Sequence, residues 1–362
     1  MDVKDNKRKI VMVNGLPGKM ATEVAKRIVA SEDFYLWHYA LTGPETKEDK
    51  VAIDKERISL YRPDQRVFFK VDSYFPEEGL VVDFSLPSAV NYNADYYCSH
   101  RMNFVMGTTG GDRIALEARV RESHICAAIA PNMAQPIVSL QAFMQDFAAS
   151  HENQFKGYTL NVRESHQQGK PDTSGTARAF CKYFKMMGFD INMNVFEELK
   201  NKLKRKTDDV SLPLGPNSTF TAVRNLETQR KLGVPEEHLA GHGWHTYYIQ
   251  APNKDSMKPL DELKDLFYRQ FFVGNPALRR YERELRGSFT QSISPDGNVL
   301  IITDYNEKGQ FTLTHNINGR SVYVDGTLDA LRFLRERKGE RGKVYSMIDV
   351  LNAQEKAQTL SE

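Results

Sequence analysis

Residues 164–177 read Glu-Ser-His-Gln-Gln-Gly-Lys-Pro-Asp-Thr-Ser-Gly-Thr-Ala. His166 is an acid–base group whose ordinary pKa lies near neutrality. Lys170, four positions on, is a compact positive charge suited to a carboxylate. Ser174, Gly175 and Thr176 open a helical pattern that runs from Ala177 to Met187. Backbone amides and a hydroxyl at a helix N-terminus make an anion cradle. Together these residues could deliver a proton to a negatively charged substrate while holding it, and Asp172 could keep their loop in shape.

A second group of residues could hold a phosphate. Lys9 to Asn14 is an apolar run that reads as a buried parallel strand. It is followed by Gly15-Leu16-Pro17-Gly18-Lys19-Met20-Ala21 and then by helical spacing from Thr22 to Ala30. Strand, glycine turn and helix are the context a dinucleotide-binding fingerprint requires. Gly15 permits the tight turn, Gly18 the approach of a pyrophosphate, and Lys19 adds a full positive charge. A second strand is expected over Phe34 to Leu41. Beyond it, Thr42 and Lys47 could take a 2′-phosphate, whereas Glu45 could take a bare ribose. NADPH is favoured over NADH on this basis, with both admitted.

Strands are further expected at Gly79 to Ser85, Asn103 to Met106 and Ile125 to Ala130, and helices at Ala89 to Ser99 and Asp112 to Glu122. The alternation predicts a Rossmann-like doubly wound α/β sheet. Ligands of such sheets bind at the carboxyl ends of the strands. That points to Phe84, to Gly107, Thr108 and Thr109, and to Pro131, Asn132 and Met133.

The chain has 362 residues, enough for two domains. Its 49 basic and 47 acidic side chains give a net charge of only +2. No global charge argues for nucleic acid or membrane, and no apolar run approaches the roughly 20 residues of a membrane span. Cys98, Cys126 and Cys181 lack metal-ligand spacing and are expected as reduced thiols. Met1 to Lys9 has no apolar signal core. The expected location is cytoplasmic, or a plastid if a transit peptide has been removed.

These motifs, in this order, resemble the 4-hydroxy-tetrahydrodipicolinate reductases (dihydrodipicolinate reductases) of lysine biosynthesis by the diaminopimelate route. The resemblance rests on Val13 to Met20, Val82 to Val90, Phe104 to Arg113, Ala130 to Met133, Glu164 to Ala177, and Asn318 to Ser321 with Gly326-Thr327. Met-Gly-Thr-Thr-Gly-Gly-Asp-Arg and Glu-Ser-His-Gln look most like the plant-type branch. It implies an NAD(P)H-dependent oxidoreductase acting on a small cyclic dicarboxylate. His166 and Lys170 would be catalytic. Gln167, Ser174, Gly175, Thr176 and Arg320 would bind substrate. Asn14, Gly15, Pro17, Gly18, Lys19, Met20, Thr42, Phe84, Gly107, Thr108, Thr109, Pro131, Asn132 and Met133 would bind the cofactor. Many bacterial members carry a second histidine where this chain has Gln167. A lone loop histidine is more often a surface residue than a catalyst; the match around His166 reverses that expectation.

The resemblance also implies a discontinuous cofactor domain, residues 1–132 and 325–362. An α+β domain with a mixed sheet, residues 133–324, would bind substrate and build a homo-oligomer, a dimer or tetramer. Segments near 194–231 and 253–310 exceed the usual family length. The first contains a basic run, Lys200 to Lys206, read as a solvated helix end. The second is expected to be helical at Leu260 to Tyr268 and Ala277 to Leu285, to interrupt the sheet between Trp244–Gln250 and Phe311–Asn316, and to alter assembly or cap the site. His242 and His245, three apart on a strand, should face opposite sides, so no metal is expected. Two rival functions are a related imine or enoate reductase for another cyclic dicarboxylate, and a non-catalytic relative serving as a scaffold.

Overall fold

Buried strands of Val, Ile, Met and Ala demand a parallel sheet covered on both faces, and the computed structural model has one. It describes residues 8–68, 75–130, 132–170, 173–203, 208–273, 282–286, 289–294, 297–337 and 339–359. The chain divides into two compact units, Met1–Gln135 with Arg320–Glu362, and Pro136–Gly319.

In the first unit the strands are β1 (Lys9–Asn14), β2 (Phe34–Leu36), β3 (Tyr39–Leu41), β4 (Lys50–Ile53), β5 (Glu56–Tyr61), β6 (Leu80–Asp83), β7 (Asn103–Met106) and β8 (Cys126–Ile129). The helices among them are α1 (Lys19–Val29), α2 (Val90–Ser99) and α3 (Arg113–Arg121). Six strands, including β17 (Lys343–Tyr345), make a parallel sheet in the order β17-β8-β7-β6-β1-β2. The order reverses between β1 and β6, which is the switch point of a doubly wound sheet. Asn14, Asp83, Met106 and Ile129 are register partners in one row, so β1, β6, β7 and β8 end together.

The expected strand from Phe34 to Leu41 is two strands in different sheets. β2 pairs with β1, while β3 joins β5 and β4 in a separate three-stranded sheet. His38 and the flanking residues turn the chain between them, a break that a continuous apolar pattern conceals. The last helices, α9 (Ser321–Arg335) and α10 (Met347–Thr359), close the unit.

The second unit opens with α4 (Gln135–Ser150), followed by β9 (Thr159–His166), α5 (Gly175–Met186), α6 (Val195–Leu203), β10 (Val210–Gly215), β11 (Ser218–Val223) and α7 (Leu226–Lys231). After them come β12 (His242–Gln250), α8 (Lys258–Leu266), β13 (Glu282–Arg286), β14 (Phe289–Ile293), β15 (Val299–Asn306) and β16 (Gln310–Asn318). They form a mixed eight-stranded sheet, β10-β11-β9-β12-β16-β15-β14-β13, in which only β11 and β9 are parallel. Phe180 and Phe184 of α5 pack on Tyr247 of β12. Phe143 of α4 packs on Phe267, which reaches Phe311 of β16.

Two expectations about the long segments need correction. β12 pairs directly with β16 over nine residues, so the second segment does not interrupt the sheet. It lengthens it by adding β15, β14 and β13 beyond β16. The helix expected at Ala277 to Leu285 is strand β13 over Glu282–Arg286, and the rest of that stretch lies outside the described residues. A densely charged stretch suits an edge strand as well as a helix, and here pairing with β14 decides. The first segment supplies helix α6, the β10–β11 hairpin and α7. Its basic run continues past α6 into residues 204–207, outside the described residues.

One close approach fixes the return of the chain. Gly326, inside α9, lies so near Met133 that a Cβ there would stand 1.8 Å from the Met133 carbonyl oxygen. Gly326→Val is expected to destabilise the protein by about 2 kcal/mol or more, measured by urea denaturation. Unchanged stability would show that α9 does not depend on that contact.

Candidate active site

In the first unit the turns after β1 and β7 each begin with a glycine, Gly15 and Gly107. Gly15, with φ +95°, follows β1, and a Cβ there would fall 2.4 Å from the Phe84 carbonyl oxygen. Gly107 follows β7, and its Cβ would strike the Phe84 ring at 2.2 Å. Three turns thus press together only because two of them are glycine. The Gly18 amide donates to the Gly15 carbonyl at 2.8 Å and closes the first turn. Gly18 is also the N-cap of α1, and no side chain caps that helix. Its first amides and helix dipole are therefore available to a phosphate. Lys19 and Thr109 are exposed, Pro17 is exposed, and Met20 and Phe84 are half-buried.

Other expected cofactor residues are tied into the fold. Asn14 is fully buried, donates to the Tyr97 hydroxyl at 2.7 Å and accepts from the Leu41 amide. Tyr97 donates to buried Asp83, which also takes hydrogen bonds from Asn93 and from the amide and hydroxyl of Ser85. Burial first, and the Asp83 charge second, hold the Tyr97 phenol well above its ordinary pKa, so it stays a donor. Thr108 donates to the Ser85 carbonyl. Thr42 donates to the Leu16 carbonyl at 2.6 Å, and its oxygen also meets Thr46. Arg62, which the sequence reading did not single out, reaches the Thr46 carbonyl and Asp49 on the same loop. Met133 is buried and its sulfur accepts the Thr327 hydroxyl, while Asn132 caps the Ala134 amide. Pro131 lies outside the described residues.

In the second unit, β9 runs from an apolar core into a polar end. Leu160 and Val162 are followed on the same face by Glu164 and His166. Across the pairing to β12, His245 stands opposite Glu164 and Gly243 opposite His166. His315 of β16 stands opposite His245, and the two imidazoles stack at 4.5 Å between centroids. His242, on the other face as its odd spacing from His245 requires, bonds Ser165 at 2.8 Å.

Glu164 organises this end. The Glu164 and Arg224 side chains have no solvent exposure, and Arg224 donates to Glu164 Oε1 at 2.8 Å. Arg224 also donates to the Lys170 carbonyl, and the Ser174 amide donates to Glu164 Oε2. The loop from Gln167 to Ser174 is thereby tied to one ion pair at Lys170 and at Ser174. Gln229 of α7 donates to the His166 carbonyl at 2.7 Å. Ser174 is the N-cap of α5, its hydroxyl accepting from the Thr176 and Ala177 amides, and Gly175 beside it is exposed. Lys170 and Gln167 are half-buried on the loop between, and Asp172 lies outside the described residues.

Burial, and after it the neighbouring His245, Lys170 and Arg224, press the His166 pKa well below its ordinary value. The expectation of a histidine poised near neutrality therefore fails for the protein by itself: His166 rests neutral. Burial acts likewise on His245, and pushes His242 to about 4 and His315 to about 3. Arg320 belongs to the first unit, where it is the N-cap of α9. The sequence reading missed Glu164, Arg224, Gln229, His245 and Asp83. Each acts through a partner far along the chain, and spacing along one strand cannot reveal that.

A parallel sheet with bare glycine turns at its switch point, joined to a unit bearing a histidine, a lysine and an N-capped helix on one loop, defines a nucleotide-dependent reductase class. The family model for "Dihydrodipicolinate reductase, N-terminus" matches residues 9–133. A rice (Oryza sativa subsp. japonica) protein, probable 4-hydroxy-tetrahydrodipicolinate reductase 2, chloroplastic, is 31% identical over 346 residues, 94% of this chain and 82% of that one. The chloroplastic 4-hydroxy-tetrahydrodipicolinate reductase 2 of Arabidopsis thaliana is 32% identical, covering 94% of this chain and 76% of that one. The Listeria innocua 4-hydroxy-tetrahydrodipicolinate reductase is 32% identical over 46% of this chain and 62% of that one. The chain belongs to the 4-hydroxy-tetrahydrodipicolinate reductase family, and is an oxidoreductase of the plant-type branch.

The depressed histidine pKa values make stability depend on pH. Each buried imidazole has a folded pKa below its unfolded value near 6.5, so the unfolded chain binds protons that the fold excludes. Stability is full above about pH 6.5 and is lost as pH falls toward 4 and below. The expected slope is roughly 1 kcal/mol per pH unit for each such histidine, read from urea midpoints between pH 7.5 and 4.5. A flat profile would contradict the burial of these rings.

Proposed function

We propose that this protein reduces 4-hydroxy-tetrahydrodipicolinate to tetrahydrodipicolinate with NAD(P)H, in the diaminopimelate route to lysine. The observation that carries this reading is the loop from His166 to Thr176. It gathers an imidazole, an ammonium and a capped helix start, braced by a buried ion pair. A cyclic dicarboxylate asks for that set: a proton donor for one ring carbon and cationic and amide donors for its carboxylates. Lys170 takes one carboxylate, and the Gly175 amide with the Ser174 and Thr176 hydroxyls takes the other, with Gln167 adding a neutral hydrogen bond. The two substrate charges raise the His166 pKa on binding, so the imidazole gains its proton as the ring arrives. Arg320 is a further candidate for a substrate carboxylate.

The nucleotide fits the first unit through the uncapped start of α1 at Gly18 and the glycine turns against Phe84. The 4-hydroxyl leaves as water, which opens a ring double bond, and the nucleotide, when bound, would supply the hydride to the carbon of that bond next to the one protonated. Gly15, Pro17, Gly18, Lys19 and Met20 hold the pyrophosphate, and Gly107 to Thr109 with Asn132 and Met133 border the nicotinamide half. Asn14 and Thr108 shape these turns from beneath. NADPH is favoured over NADH because Thr42 and Lys47 share the loop after β3, Arg62 donates to the Thr46 carbonyl beside them, and a 2′-phosphate would suit those side chains. The three free cysteines suit a reducing compartment, cytosol or plastid. Among the described residues no helix is long and apolar enough to cross a membrane. The sheet face away from α4 and α5 carries Trp244, Thr246, Tyr248, Thr312 and Thr314, with Arg163 over the Tyr248 ring. We assign this face to a homo-oligomer interface.

Two measurements test the reading. NADPH and NADH oxidation is followed while a synthase supplies fresh substrate. His166→Ala and Lys170→Ala should each lower kcat by about 10²- to 10⁴-fold, and the apparent pKa in kcat should exceed that in kcat/KM. Near-wild-type kinetics in either variant removes that residue from the mechanism. By light scattering, the wild type should be a dimer or tetramer and Trp244→Arg with Tyr248→Arg should dissociate it; a monomeric wild type rules the interface out.

A further inference from the structure

Nδ1 of His166 is buried with no hydrogen-bond partner among the described residues, and so are both nitrogens of His245. Leaving such atoms unpaired costs roughly 1–3 kcal/mol each, so the small space they share calls for an occupant. Glu164 Oε2 lies 3.9 Å from His166 Nδ1 and 4.0 Å from His245 Nε2, and each of the three residues offers a ligand atom within 4.8 Å of those of the other two. The two rings meet edge to face, with centroids 5.2 Å apart. The strand register forces this meeting, because His245 is paired with Glu164 while His166 lies two residues on along the same face.

The three residues are of metal-binding type, yet a cation fits poorly. Ligand atoms around a tetrahedral ion at ~2.1 Å stand roughly 3.4 Å apart, closer than either separation to Oε2. Glu164 also already serves Arg224 and the Ser174 amide, and the Arg224 charge repels a second cation. A water molecule with hydrogen bonds of about 2.8 Å spans atoms 4 to 4.8 Å apart and needs two to four polar partners. Three are present.

We propose that Glu164 and His245 hold one water molecule against Nδ1 of His166, and that they are thereby positioning residues fixing His166 as its Nδ1–H tautomer, with Nε2 left for proton transfer. The water accepts from Nδ1–H and donates to the Glu164 carboxylate and to His245 Nε2. When Nε2 takes up a proton, the imidazolium charge is answered through the water by Glu164. Nε2 itself has room because Gly243 faces it: a Cβ there would sit 3.4 Å away. The ionisable groups around the two rings are Glu164, Lys170, Arg224, His242 and His315. Nearby Cys181 and Tyr247 stay protonated, their pKa values pushed up by burial. His245 is held neutral, so it accepts from the water rather than competing as a cation.

The catalytic consequence rests on the proposed reductase reading; the tautomer does not. Full-length protein carrying ¹⁵N-histidine is examined near pH 7.5 by long-range ¹H–¹⁵N correlation, with His166→Ala assigning the signal. The wild type should show His166 as Nδ1–H, and His245→Leu should move it toward Nε2–H. His245→Gln, whose amide oxygen can accept from the water, should retain the wild-type pattern. In turnover, His245→Leu should lower kcat about tenfold or more with KM within about twofold, and His245→Gln should recover most of it. An Nε2–H tautomer in the wild type, or a His166 signal unmoved in His245→Leu, overturns the proposal. Absence of turnover by the wild type instead overturns the reductase reading and leaves the tautomer to be judged by the spectra.

Discussion

The buried pair of Glu164 and Arg224 is the interaction on which the second unit's chemistry depends. Neither group could be withdrawn from water alone, and removing one partner from such a pair costs roughly 3–5 kcal/mol. Here the cost of burial is offset by use. One carboxylate oxygen takes the guanidinium and the other takes the Ser174 amide, while the guanidinium also holds the Lys170 carbonyl. The loop after β9 is fastened to the pair through the backbone of Lys170 and of Ser174. The Lys170 backbone and the cap at Ser174 are therefore set relative to the end of β9 by the fold itself.

The first unit solves a different problem with the same economy. Four strands end in one row, and the chain must turn at each end without filling the space above it. Glycine at 15 and 107 removes the side chains that would strike Phe84. Beneath the turns, Asp83, Tyr97, Asn93 and Asn14 form a buried network in which both oxygens of the Asp83 carboxylate are served. The polar side chains of this network point inward, beneath the turns.

Much of this was legible from the chain. The period of buried strands and the glycine turns gave the doubly wound sheet, because a βα turn's requirements are local. Ser174 as a cap was equally local. What escaped was set by register. His245 was weighed against His242, which its spacing puts on the opposite face, yet β9 brings Glu164 directly opposite it. His166 was judged by its ordinary pKa, and burial between β12 and the α5 layer changes that value. The long segment after β12 resembled an interruption because charge patterns do not tell an added edge strand from an inserted helix. The split of Phe34–Leu41 into two sheets had no signal beyond the polar His38.

The order of elements carries a consequence for synthesis. The second unit is one continuous stretch, Pro136–Gly319, whereas the first waits for α9 and β17 from the end of the chain. A growing polypeptide thus displays β8 with an open, hydrophobic edge, and Met133 without the helix that Gly326 brings against it, for nearly two hundred codons. During that interval the first unit is the half exposed to misassembly, and truncation between Gly319 and Lys343 leaves β8 without β17.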